Sequence, residues 1–106
     1  MIDEISVKDL KTMQDNNDDF QLIDVRESDE YAFASLSGEL IPMNSIPDRV
    51  EEISRDKKVI VMCRSGKRSA HIVAYLKKMH NYDNVFNLKG GILAYSDEID
   101  PSIPKY

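Results

Sequence analysis

The sequence carries a single cysteine, Cys63, in 106 residues. One thiol makes no intrachain disulfide, and the two histidines, His71 and His80, lie near no second thiol at metal-ligand spacing, so neither disulfides nor a metal is expected. Long apolar runs are missing too. The longest, Val59 to Cys63, is five residues against the roughly 20 that cross a bilayer, and no membrane contact is expected. Positive charge is in deficit: 14 Lys and Arg face 19 Asp and Glu, for a formal net charge of -5 and a pI of about 4.9. That balance repels a phosphate backbone, and no basic stripe with interleaved aromatics offsets it, which excludes nucleic acid as the expected partner. No glycine-rich nucleotide loop occurs, and no cofactor is expected. The acidic start MIDEISVKDL lacks the basic head and apolar centre of a secretory signal; taken as a native start, it points to the cytoplasm.

What is present suits one globular domain over residues 1–106, with 42% hydrophobic residues for a single core. Ser6 is placed to cap a helix over Val7 to Met13, ended by the polar run DNNDD. Phe20 to Val25 reads as a buried strand, and Ser28 opens a short helix, SDEYAF. Leu40 to Pro42 reads as extended and Pro47 to Ile53 as a helix. Lys58 to Met62 is the clearest strand. Residues 67–79 predict the longest helix, with Ala70, Ile72, Val73, Leu76 and Met79 on one apolar face. A strand over Asn84 to Leu88, a Gly90-Gly91 turn and a helix over Ile92 to Ile99 complete the chain. Alternating strands and helices predict an α/β fold, a mostly parallel sheet covered by helices on both faces. Tyr31, Phe33 and Tyr95 read as core aromatics, and Met62 and Met79 as gap-filling core residues.

The chemistry centres on VIVMCRSGKRSA, residues 59–70. Cys63 falls where a strand ends and the long helix begins, the position at which open α/β sheets gather ligands. Backbone N–H groups entering that helix, with Arg64, Lys67 and Arg68, favour a thiolate and argue against a buried packing cysteine. Gly66 lets the loop fold tightly, and the same cradle would hold an anionic substrate or a terminal persulfide. A Cys–His hydrolase would need a base, yet His71 lies a turn beyond Lys67 and His80 at the helix's far end. Sulfur transfer, in which a thiolate attacks sulfur, needs none. Asp24 and Arg26, at the end of the first long strand, form either a fold-bracing ion pair or, for Arg26, a wall of the sulfur site.

LIDVRESDEY (22–31), CRSGKRSA (63–70) and LKGG (88–91) together resemble the single-domain rhodanese sulfurtransferases, in the right order and over nearly the whole chain. The resemblance implies a rhodanese-like fold, sulfane sulfur carried on Cys63, and a cradle of backbone N–H groups over Arg64, Ser65, Gly66, Lys67, Arg68 and Ser69. It implies a small donor, thiosulfate or a persulfide. Phosphatases of the same fold resemble Cys-x5-Arg, whereas Cys63 to Arg68 is Cys-x4-Arg, and the shorter loop favours sulfur. The stretch ASLSGELIP (34–42) lacks the Gly-His pair of many rhodaneses. With the ending DPSIPKY it is similar to the C-terminal rhodanese domain of adenylyltransferases that activate ubiquitin-like sulfur carriers, which makes such a carrier or its adenylyltransferase the expected partner. The rival reading is an interaction module that keeps the loop without using it, and retention of Cys63 speaks against that.

Overall fold

The computed structural model describes residues 2–106. Five strands, β1 (Glu4–Ile5), β2 (Phe20–Asp24), β3 (Glu39–Leu40), β4 (Lys58–Met62) and β5 (Val85–Leu88), form one sheet in the order β1-β5-β4-β2-β3. Every pairing is parallel. The helices between them are α1 (Val7–Asp15), α2 (Ser28–Phe33), α3 (Lys67–His80) and α4 (Gly91–Glu98).

Side chains alternate across the sheet, so successive residues of β4 enter different cores. Val59 and Val61 pack with Ile72, Val73 and Leu76 of α3 and with Ile46 and Ile53, while Ile60 and Met62 pack with Val7 and Leu10 of α1 and Ile92 and Tyr95 of α4. A strand buried on both faces needs an unbroken apolar run, which is what KVIVM supplies after Lys58. The chain leaves β2 through α2 toward β3 and leaves β4 through α3 toward β5 on the opposite side. The carboxyl ends of β2 and β4, paired at Asp24 and Met62, are therefore the switch point of this sheet, and Cys63 follows directly.

Ser6 caps α1 as expected: its hydroxyl accepts the Asp9 N–H at 3.0 Å and the Asp9 carboxylate accepts the Ser6 N–H. Several expectations change. Residues 47–53 form no α-helix; 3-10 turns run over Met43–Asp48 and Val50–Glu52, because the turn already begins at Met43, which puts Pro47 inside it, where its missing N–H withholds the bond to residue 43. Pairing at the sheet edge makes a strand of Glu4–Ile5, too short to show periodicity. Phe33 is 54% exposed and Met79 63% exposed rather than in the core. Among the described residues no helix is long and apolar enough to cross a membrane.

Candidate active site

Cys63 is fully buried, against the expectation that its charged neighbours keep it at the surface. The neighbours turn outward while the sulfur sits in the α3-side core with Val61 and Ile72. Three donors converge on Sγ: the N–H of Gly66 at 3.1 Å, the N–H of Ser69 at 3.4 Å and the hydroxyl of Ser69 at 3.3 Å. Gly66 has φ 94 and stands at the N-terminus of α3 with no side-chain cap, so the opening amides of the helix face the loop rather than a capping side chain. Donors aimed at a sulfur stabilise its anion more than its neutral form.

The LKGG segment is the floor on which the loop rests. The Ile92 N–H donates to the Cys63 carbonyl at 3.0 Å and the Leu93 N–H to the Arg64 carbonyl at 3.1 Å. A Cβ on Gly91, whose φ is +59, would stand 2.4 Å from the Arg64 carbonyl oxygen and 2.5 Å from that of Cys63. Neither backbone oxygen can yield without moving the loop. Gly91→Ala is thus expected to destabilise the protein by roughly 2–4 kcal/mol, from φ strain and overpacking together, and to displace the sulfur from its donors. A urea melt and a sulfur-uptake assay on the same sample check both effects.

The loop's charges are mostly spoken for. Arg68 makes a two-pronged contact with Glu30 of α2, at 2.8 and 2.9 Å. That contact, more than any other, holds the Glu30 carboxyl down to about 2, and it holds Arg68 firmly charged. Arg64 donates to the backbone oxygen of Tyr106, its Nε at 2.6 Å, and lies over the Tyr106 ring. Lys67 is exposed at the start of α3, with no ion pair among the described residues, and Ser65 is exposed beside it.

Asp24 and Arg26 bind each other in the interior, both completely buried, with the guanidinium Nη2 2.8 Å from the carboxylate. Arg26 also donates to the Ala34 carbonyl at 2.6 Å and to the Tyr106 hydroxyl at 2.9 Å. Burial disfavours its charge, but these bonds outweigh that and raise its pKa. Arg26 therefore braces the ends of β2 and α2, and among the described residues no hydrogen bond joins it to Cys63. The Tyr106 hydroxyl donates in turn to Glu30 at 2.6 Å, which links the brace to the loop. His71 is exposed and His80 meets Tyr75, and neither is among the hydrogen-bond donors to the sulfur.

Two participants escaped the sequence reading. Tyr106 is 80 positions from Arg26, and no local pattern announces that pairing. Asn87, a polar residue interrupting the apolar strand VFNL, offered a signal: it is buried and bonded to Ser69.

Comparison with known proteins identifies the domain. The family model described as Rhodanese-like domain matches residues 6–98. The chain is 38% identical to a protein named sulfurtransferase from Allochromatium vinosum, over 91% of this chain and 90% of that one. It is 38% identical to the Rhodanese-like/PpiC domain-containing protein 12, chloroplastic, of Arabidopsis thaliana, and spans 38% of its length. It is 36% identical to the Adenylyltransferase and sulfurtransferase UBA4 of Kluyveromyces lactis, covering 82% of this chain and only 22% of that one. Among solved structures, a rhodanese-like domain protein from Staphylococcus aureus superposes with a TM-score of 0.82 at 29% identity, over 99% of both chains. With a family model matched over residues 6–98 and a relative 38% identical over nine-tenths of both chains, the chain belongs to the rhodanese-like domain family.

Proposed function

We propose that this protein is a sulfurtransferase that carries sulfane sulfur as a persulfide on Cys63. The observation that carries the reading is the convergence of the Gly66 and Ser69 N–H groups and the Ser69 hydroxyl on Sγ, with no histidine among its donors in the described residues. Relatives named sulfurtransferase support it.

In the loading step the Cys63 thiolate attacks the outer sulfur of the donor. A new S–S bond forms, the donor's S–S bond breaks, and the electron pair leaves on sulfite from thiosulfate or on a thiolate from a persulfide. In the unloading step a nucleophilic acceptor takes the outer sulfur, and the electron pair of the broken S–S bond returns to Sγ, where the three donors receive it. No proton transfer by a base is needed. Because Cys63 is buried, a donor reaches it only as the loop or a covering side chain shifts.

Relatives that join a sulfurtransferase to an adenylyltransferase, and one named putative sulfur carrier protein, support a carrier protein as the acceptor. An acyl-adenylate at a carrier's C-terminus would be attacked by the persulfide's outer sulfur, forming a C–S bond and expelling AMP. In this route the persulfide is the nucleophile. An outside thiol then cleaves the acyl disulfide, bonding to Sγ as the carrier departs as a thiocarboxylate, and a second thiol frees Cys63, since this sequence contains no second cysteine.

Intact mass after exposure to thiosulfate tests the central reading: one added sulfur atom is expected, and an unchanged mass favours the interaction module. The charge pattern predicts how donors differ. Lys67→Ala, which removes the unpaired cation, should lower thiosulfate turnover about three- to tenfold and barely affect a neutral persulfide donor. Arg68→Ala should reduce both alike, because its guanidinium is occupied in holding Glu30. Steady-state rates with the two donors separate these effects.

A further inference from the structure

We propose that Asn87 is a positioning residue of the sulfur site, parking the Ser69 hydroxyl proton while Cys63 carries sulfur and yielding it when negative charge returns to Sγ. This rests on the sulfurtransferase reading above and concerns how that site holds its charge.

The Asn87 side chain is only 1% exposed, so its polar atoms need partners within the protein. Its Nδ2 group donates to the Glu4 carboxylate at 2.9 Å and to the Gly66 carbonyl at 3.2 Å. Both partners can only accept, which fixes the amide's orientation and aims Oδ1 at Ser69. The Ser69 hydroxyl lies between Oδ1 of Asn87 and Sγ of Cys63, in hydrogen-bond contact with each. A hydroxyl has one proton, and these two acceptors compete for it.

The competition is decided by the state of the sulfur. A thiolate is a charged acceptor and draws the proton. In a persulfide, Sγ is a neutral divalent sulfur and a weak acceptor, so the proton turns to the amide oxygen. The hydroxyl is paired in both states. What changes is Asn87: with the thiolate its buried Oδ1 loses its donor, which is unfavourable, and with the persulfide it regains it. Asn87 thus favours the sulfur-loaded form over the empty thiolate, while Ser69 supplies the charge stabilisation when sulfur departs. The neighbouring charges remain fixed as this proton turns. Arg68 is paired with Glu30 of α2, Arg64 with Tyr106, Lys67 stands at the start of α3, and Glu4 comes from β1.

A pH titration of the thiolate absorbance reads the competition without requiring sulfur transfer, in wild type, Ser69→Ala, Asn87→Ala and the double variant. Ser69→Ala should reduce the acid constant of the thiol roughly ten- to hundredfold, the value of a hydrogen bond to a charged group. Asn87→Ala should increase it, since the hydroxyl then serves the thiolate unopposed. In the Ser69→Ala background the Asn87 substitution should have no effect. An Asn87 effect equal in both backgrounds, or none in either, overturns the proposal. A second readout needs no Asn87 variant: the side-chain amide resonances of Asn87 should follow the Cys63 transition in wild type and not in Ser69→Ala. Resonances that ignore the transition in wild type overturn it as well. A protein that shows this coupling yet takes up no sulfur would instead overturn the proposed function, so the two failures are distinct.

Discussion

Cys63→Ser should take up no sulfur from thiosulfate or from a persulfide, and its turnover should fall to the uncatalysed level. The sequence offers no second thiol to substitute, and a serine hydroxyl stays protonated at neutral pH and attacks sulfur poorly. The fold should survive. The new hydroxyl would sit among the N–H groups of Gly66 and Ser69 and the Ser69 hydroxyl, which can pair with it, so a loss of about 1 kcal/mol or less is expected. Intact mass after donor treatment, with a thermal melt on the same sample, checks both halves. A serine variant that keeps turning over would mean that sulfur passes through the site without residing on residue 63.

Arg26→Ala should be the most damaging substitution for stability, at about 3–5 kcal/mol, because it leaves the Asp24 carboxylate buried without its partner. Against a typical total of about 5–15 kcal/mol, that brings the protein near unfolding at ambient temperature. The loss also strips a donor from the Ala34 carbonyl and from the Tyr106 hydroxyl. Replacing Asp24 and Arg26 together by apolar residues of similar size should recover much of the stability, since a missing pair leaves no orphaned charge. Urea melts of the three proteins measure this. The same network makes the protein acid-sensitive in a defined window. The Glu30 carboxyl is held from its usual 4.5 down to about 2, first by Arg68. Its contribution is therefore complete above about pH 4.5 and disappears as the pH falls from there through about 2. Glu30→Gln should flatten stability across that range, as melts at stepped pH would show.

Features with a local cause were legible in the residues themselves. KVIVM is a central strand because each residue after Lys58 is apolar, and a strand between two helical layers must bury both faces. SDEYAF forms the helix of residues 28–33, and the end of KVIVM placed Cys63 at the mouth of the sheet. Gly66, Gly90 and Gly91 were legible as turns, since glycine adopts positive φ without the strain a side chain brings. Whatever depends on which distant groups meet was set by the packing of the sheet and helices. Residues 72, 76 and 79 repeat at helical spacing, yet Met79 is exposed because the 14-residue helix outruns the five-residue strand beneath it. The three cations around Cys63 suggested an exposed, charged thiol. In the fold Arg68 meets Glu30 and Arg64 meets Tyr106, 38 and 42 positions away, so the sulfur lies buried and faces backbone amides instead. Asn87 became a partner of Ser69 only because β5 pairs with β4 and carries it beneath the loop. Periodicity records what each residue needs from water and from its near neighbours; the partner of a charge or a buried amide is chosen by the order of strands in the sheet.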